Sequence, residues 1–454
     1  MNLAVVTLAA GKGSRMKSDL PKVLHTLAGK PMLAHVLESA QALGGASLHV
    51  VIGHGAQKVR DTITQIPVQW ALQNEQKGTG HAVAQAMPDV HPDATVLVLY
   101  GDVPLIRSQT LQQLLNETAS NHSLALLTVE LDNPTGYGRI VRNAQGEIQA
   151  IVEHKDANAE QHKIKEVNTG ILAVSAKHLN AWLPKLSANN AQGEYYLTDI
   201  IAMAVAQGVP VNAIHPQDEF EVQGVNDRLQ LAELERVYQR RLADDLMRQG
   251  VSLADPSRID IRGSLKVGSD VVIDVGCVFE GEVVLEDGVR VGPYCVIKNC
   301  HLGAQTAVEA FCHLEDAKSE QDCHIGPYAR LRPGADLKNH AKVGNFCEVK
   351  KAVVGEGAKV NHLTYIGDAQ IGKDANIGAG TITCNYDGVN KFKTVIGERA
   401  FIGSNTALVA PVNIGAGATV GAGSVITKDV DPDQLAVGRG KQRNIDGWER
   451  PKKG

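Results

Sequence analysis

Apolar and polar residues change their rule twice along this chain. Over residues 1–226, short apolar runs alternate with stretches of helical periodicity. "LAVVTLAA", "LHVVIG", "TVLVLYGD", "LALLTVEL" and "TGILAV" suit buried strands. Between them, "MLAHVLESAQAL" and "TLQQLLNETA" repeat apolar positions as a helix face does. The alternation predicts an α/β domain with a mostly parallel sheet. Residues 227–250 then place Leu231, Leu234, Tyr238, Leu242 and Leu246 at helical spacing, with Asp227 as N-cap and Gly250 as stop. One long linking helix is expected there.

The remainder, 251–454, obeys a third rule from about residue 255. An aliphatic residue followed by Gly recurs at Val267, Val291, Ile325, Val343, Val354, Ile366, Ile371, Ile377, Ile396, Ile402, Ile414 and Val420. Neighbouring members lie 24, 18, 12 or 6 apart, with slips of 5, 11, 19 and 34. A six-residue period fits neither a helix nor a simple alternating strand. It fits a parallel β-solenoid whose coil has three flat faces, one hexapeptide per face. At 18 residues per coil, 255–428 makes roughly ten coils, each rising ~4.8 Å. The aliphatic residue is expected to point inward, and the small residue after it to turn the corner. "TCNYDGVNKFK" (383–393) breaks the count and reads as a loop thrown out from a corner.

Composition narrows the function. With 454 residues the chain exceeds one ordinary core. A net charge of −5 argues against a nucleic-acid partner. Apolar residues are 43% but aromatic ones only 4%, so the core is aliphatic. No run reaches the ~18 apolar residues of a membrane span, and Gly11 cuts the first apolar run too short for a leader. A cytoplasmic protein without a membrane partner is expected. Cys277, Cys295, Cys300, Cys312, Cys323, Cys347 and Cys384 are odd in number and form no CxxC pair, which suits free thiols.

The first strand runs into L-x-x-G-x-G-x-R-M, followed by Pro21 and Lys22. Glycines let backbone N–H groups approach phosphate oxygens. Arg15 and Lys22 supply positive charge where a cleaved phosphoanhydride becomes more negative. The pattern is neither a Rossmann fingerprint nor a Walker loop. "LVLYGDVPL" sets Asp102 at the carboxyl end of a strand, where α/β sheets bind ligands, and a single carboxylate there suits Mg2+. Gln73, in "QNEQKGTGHA", carries both donor and acceptor and can read a pyrimidine edge. From spacing alone, Asn226 reads as a helix-entry residue beside Asp227.

In the second half, "AKVNHLTYIGDAQIGKDANIGAGTITCNYDG" crowds polar residues onto a wall that otherwise repeats aliphatics. Acyl transfer from a thioester to an amine needs a base and donors for the oxyanion. His362 is the natural base, Glu348 a candidate to orient it, and Asn385 a candidate oxyanion donor. Arg332 and Lys350 can hold a sugar phosphate. A zinc site built from His313, His324, His340 and His362 is a rival, but their flanking residues show no supporting pattern. A purely structural or regulatory solenoid on a one-activity pyrophosphorylase is the other, against which the crowding around His362 argues.

Residues 1–226 resemble the sugar-nucleotidyltransferases. With "PKVLHTLAGKPM", "GTGHA", "YGDVPL", "PTGYGRI", "VEHKDA", "NTGI", "NAQGEYYLTDI" and "GVN" in order before a hexapeptide solenoid, the whole chain resembles one family. That is the bacterial bifunctional N-acetylglucosamine-1-phosphate uridyltransferases/glucosamine-1-phosphate acetyltransferases. The resemblance implies a Rossmann-like nucleotidyltransferase domain (1–226), a linker helix (227–250) and a left-handed β-helix with a C-terminal arm (251–454). It implies that Leu8, Ala9, Ala10 and Gly11 line the nucleotide site, with Lys22 beside the phosphates and Gln73, Gly78 and Thr79 on uracil. Tyr100 and Gly101 would flank Asp102, which with Asn226 would hold Mg2+, and Gly138, Glu153 and Asn168 would bind the sugar. In the second half, Arg332, Lys350, Tyr365 and Asn376 would contact the sugar phosphate. Ala379, Asn385, Tyr386, Ser404, Ala422 and Arg439 would contact acetyl-CoA. The implied partners are UTP, glucosamine 1-phosphate, N-acetylglucosamine 1-phosphate and UDP-N-acetylglucosamine, in a homotrimer with acetyl sites between subunits. The basic tail from Gly438, which contains Arg439 and Trp448, is expected to lie over the acetyl site.

Overall fold

The computed structural model describes residues 2–121 and 123–451. Two compact units, Met1–Tyr238 and Gln239–Gly454, divide the chain within one helix, Arg228–Arg248. Asp227 Oδ1 accepts from the backbone N–H groups of Leu229 and Gln230, both at 2.9 Å, and so caps that helix.

In the first unit a sheet runs in the order Val211–Ile214, Leu124–Glu130, Glu166–Ser175, Thr95–Tyr100, Leu3–Ala9, Ala46–Ile52, Gln69–Leu72. Glu166–Ser175 is antiparallel to both neighbours and the other pairs in this row are parallel. Helices Met32–Gln41, Thr79–Ala86 and Ser108–Asn121 follow strands of this sheet. Strands Leu3–Ala9 and Thr95–Tyr100 are adjacent and in register, Leu8 opposite Tyr100. Their carboxyl ends therefore open at one place.

The second unit is a left-handed β-helix of parallel strands. One wall is a sheet of 11 strands. Its inward ladder is Ile273, Val291, Val308, Ile325, Val343, Val360, Ile377, Ile402 and Val420, each the register partner of the next. All nine are buried, as the aliphatic repeat predicts. Two expectations are corrected. Several coils hold 17 residues rather than 18, as from Val291 to Val308 and from Val343 to Val360. The corner is turned three residues after the ladder aliphatic, not one. Tyr294, Phe311, Tyr328, Phe346 and Leu363 sit there with positive φ. The small residue directly after the aliphatic serves close stacking instead: a Cβ on Gly344 would stand 2.1 Å from the Asn361 carbonyl oxygen in the next coil.

The step from Ile377 to Ile402 is 25 residues because the chain leaves the coil. Tyr386 and Lys391 pair antiparallel across a turn in which Asp387 Oδ1 accepts from the N–H groups of Val389 and Asn390. All seven cysteines are free, and six are buried inside the coils. Burial pushes the thiols of Cys300 and Cys323 up to about 11, so these sulfurs are inert.

Candidate functional sites

At the carboxyl ends of the first unit's strands lies a cavity of about 290 Å³. Leu8, Ala9, Ala10, Gly11, Lys22, Gln73, Gly78, Thr79, Tyr100 and Asp102 all line it. Gly13 explains the loop's path: its φ is +61°, and a Cβ there would stand 2.5 Å from the Lys22 Cβ. Gly101 N–H donates to the Leu8 carbonyl at 2.9 Å, which sets Asp102 just beyond the strand end. The Gln73 side chain is buried and its amide donates to the Gly78 carbonyl at 3.2 Å. Thr79 Oγ1 accepts from Leu197 N–H at 3.0 Å, which fixes the start of its helix.

The Lys22 ammonium pairs with Asp102 Oδ2 and donates to Asn226 Oδ1 at 3.2 Å. The two oxygens assigned to Mg2+ thus converge on one cation, and Asp227, not Asn226, caps the helix. A hard carboxylate and a hard amide oxygen meeting at one positive centre fit Mg2+. Val225 N–H donates to the Asp102 carbonyl at 2.9 Å and holds the 224–226 segment against it.

Gly138, Glu153 and Asn168 also gather. The Asn168 N–H donates to the Gly138 carbonyl at 2.9 Å, and a Cβ on Gly138 would lie 3.5 Å from the Glu153 carboxyl. Burial pushes the Glu153 carboxyl above the usual carboxylate range, opposed by the Thr198 hydroxyl and reinforced by Asp156, Asp199 and Glu194. Burial, with Glu153 and Asp102 nearby, likewise raises the Tyr100 phenol. Arg15 is exposed and does not line the cavity. It sits on the short helix Ser14–Met16, in the loop between Gly11 and Lys22.

On the β-helix, His362 lies two residues past the ladder residue Val360. Asn345, Ala379, Ser404 and Ala422 occupy the same place after Val343, Ile377, Ile402 and Val420. These five therefore form one column, about 19 Å tall at ~4.8 Å per coil. Backbone bonds tie its steps: His362 O accepts from Gly380 N–H at 3.3 Å, Ala379 O from Asn405 N–H at 2.7 Å, and Ser404 O from Gly423 N–H at 2.8 Å. An Arg439 guanidinium N–H donates to the Ala422 carbonyl at the top.

His362 Nδ1 lies 2.7 Å from Asn345 Oδ1. An amide oxygen only accepts, so the neutral ring carries its proton on Nδ1 and its lone pair on Nε2. The expectation that Glu348 orients His362 is corrected, since Glu348 Oε1 instead accepts from Arg332 at 2.8 Å. Strand pairing reveals Asn345 as the orienting residue: it is the register partner of His362 one coil below. Reading contacts only within sequence stretches misses it.

Around the corner from His362, Tyr365 opens the next face opposite Glu348. Asn385 is buried there, and its amide donates to Asp368 Oδ2 at 2.6 Å. Asn376 sits on the 11-stranded wall as register partner of Lys359. The Lys350 ammonium is held below the usual lysine range by Lys391 and by Arg332, a crowding of cations suited to an anion. Lys391, carried in by the 386–391 hairpin, was not expected. Tyr386 is exposed at the hairpin's base. The tail beyond Arg439 is exposed, Trp448 included. Lys452 and Lys453 lie outside the described residues.

Among the described residues no group of three or more His, Cys, Asp or Glu converges as a metal site, and no helix is long and apolar enough to cross a membrane. Residues 5–167 match the MobA-like NTP transferase domain, and 393–428 match the hexapeptide repeat of succinyl-transferase. The chain is 62% identical over 451 residues to the bifunctional protein GlmU of Marinobacter nauticus, covering 99% of each. It is 60% identical to that of Cellvibrio japonicus over 449 residues, 99% of each, and 60% identical to that of Stutzerimonas stutzeri over 453, 100% of each. The chain belongs to the bifunctional GlmU family. Like its GlmU relatives it is a bifunctional enzyme, a uridyltransferase joined to an acetyltransferase.

Proposed function

We propose that the β-helix transfers the acetyl group of acetyl-CoA to the amine of glucosamine 1-phosphate. The first unit then joins the resulting N-acetylglucosamine 1-phosphate to UTP, giving UDP-N-acetylglucosamine and pyrophosphate. The observation that carries this reading is the His362 column, a base with its proton fixed on Nδ1 beneath Ala379, Ser404 and Ala422. The coenzyme lies along that column with its thioester at His362, and Arg439 meets its upper end. Nε2 takes the proton as the amine attacks the thioester carbonyl, and the thiolate leaves. Arg332, Lys350 and Lys391 hold the sugar phosphate, with Tyr365 and Asn376 beside it, and Asn385 and Tyr386 border the coenzyme.

In the first unit, Gln73, Gly78 and Thr79 hold the uracil, and the Gly11 loop with Lys22 holds the triphosphate. Gly138, Glu153 and Asn168 place the sugar so that its phosphate oxygen attacks the α-phosphorus in line. Mg2+ held by Asp102 and Asn226 would neutralise charge on the phosphates as pyrophosphate departs. Lys22 then exchanges its carboxylate partner for phosphate oxygens. Tyr294, Phe311, Tyr328 and Phe346 stack with ring centroids 5.0–5.4 Å apart and leave an exposed apolar stripe that runs up to the coil of Asn345, the foot of the column, which favours a homotrimer with acetyl sites between subunits. The setting is cytoplasmic, where UTP and acetyl-CoA are both supplied. Incubating the separated halves with their own substrates tests the assignment. Acetylation must stay with the β-helix half and uridylation with the other.

A further inference from the structure

One fully buried carboxylate touches none of the residues assigned to substrate. Glu221, in the short helix Glu219–Val222, is 0% exposed. Its Oε2 accepts from the Thr110 hydroxyl at 2.6 Å. Its Oε1 lies 3.5 Å from Arg107 Nε and accepts no hydrogen bond among the described residues. A carboxyl group buried with one hydrogen bond and one cation 3.5 Å away is a costly feature, and an apolar side chain of similar volume would pack there at less cost. Its presence calls for a geometric role.

The topology supplies one. Arg107 and Thr110 stand at the far end of the loop that begins at Asp102, where the helix Ser108–Asn121 starts. Glu221 stands five residues before Asn226. At the near end, Val225 N–H donates to the Asp102 carbonyl at 2.9 Å. The segments 102–110 and 221–226 are thus tied at both ends. A single tie at Val225 would act as a hinge, and the second tie at Glu221 removes that rotation. Asn226 is held at a set distance from Asp102, and its own N–H donates to Gln230 Oε1 at 2.7 Å.

The geometry points to Glu221 as a positioning residue that, with Thr110 and Arg107, sets the separation of Asp102 and Asn226 and so the fit of a divalent cation between them. The inference rests on reading Asp102 and Asn226 as the cation site. The test titrates Mn2+ into the full chain with UDP-N-acetylglucosamine bound, following free Mn2+ by electron paramagnetic resonance. In Glu221→Gln and Thr110→Val the Mn2+ dissociation constant rises about 10-fold. In Thr110→Ser, which keeps the hydroxyl, it stays at the wild-type value, and acetyl transfer is unchanged in all three. Wild-type Mn2+ affinity in both Glu221→Gln and Thr110→Val overturns the inference while leaving the cation site intact. If Glu221→Gln does not fold, the contrast between Thr110→Val and Thr110→Ser decides alone, and equal affinities overturn it. Wild-type enzyme with no Mn2+ binding that Asp102→Ala removes overturns the cation-site reading itself, and this inference with it.

Discussion

Lys22 forms an ion pair with Asp102 and reaches Asn226 with the same ammonium. On the proposed reading this lysine bridges the two oxygens that would hold Mg2+, and the ion would displace it. Asp102→Ala is expected to lower uridyl transfer by about 10³-fold or more, the size of a lost Lewis-acid contribution of several kcal/mol. Acetyl transfer stays at the wild-type rate. Chelation with EDTA gives the same split, and steady-state assays of the two reactions on one preparation check both.

The hydrogen bond between His362 and Asn345 carries a second prediction. His362→Ala lowers acetyl kcat roughly 10²–10⁴-fold, the range for a lost general base. Asn345→Ala leaves the base in place but frees its ring and its tautomer. A smaller loss is expected, about 10-fold, with an altered pH profile of kcat/KM. An Asn345→Ala enzyme with wild-type rate and pH profile contradicts the orienting role.

Glu153 links function to stability. Its folded-state carboxyl is raised above the ordinary range, so the fold favours the protonated form. Any stability this gives is present at low pH and lost as pH rises through the raised value. At neutral pH the ionised group strains the fold. Glu153→Gln is therefore expected to melt higher than wild type at pH 7.5, and the difference should vanish as pH falls below the ordinary carboxylate range. Its KM for the sugar phosphate rises at the same time. Melting curves across pH 3–8 read the sign directly, and a variant less stable at neutral pH refutes it.

Lys391 stands against Lys350 and holds its ammonium below the usual lysine range. Lys391→Met relieves that repulsion and removes one phosphate contact. The KM for glucosamine 1-phosphate rises about 10-fold, the cost of one charge-assisted hydrogen bond, while the KM for acetyl-CoA is unchanged. Initial-rate kinetics with each substrate varied separately distinguish this from a general loss.

What could be read in advance follows from range along the chain. Strand and helix periodicity are local, and so are the glycine loop and the Asp102 turn. The cavity residues Gly11, Gln73 and Asp102 were legible for that reason, while Leu8, Ala9, Ala10, Gly78 and Thr79 were carried over from the family resemblance. The β-helix was legible because its period is written in single residues, from Ile273 to Val420. Partners one coil away were not. Asn345 meets His362 across 17 residues, and whether a coil holds 17 or 18 is decided at a corner other than that of Tyr294 and Phe346: the offset drops from 18 between Glu280 and Lys298 to 17 between Val284 and His301. Glu348 was misplaced because Arg332 competes for it from the neighbouring coil.

The central claim is that one chain carries two separate sites acting in sequence. The most direct test gives the enzyme glucosamine 1-phosphate, acetyl-CoA, UTP and Mg2+ and identifies products by mass. Wild type is expected to yield UDP-N-acetylglucosamine, Asp102→Ala to stop at N-acetylglucosamine 1-phosphate, and His362→Ala to yield the sugar nucleotide only when N-acetylglucosamine 1-phosphate is supplied. A single substitution that abolishes both steps in folded enzyme, or a wild type that uridylates without ever acetylating, contradicts it.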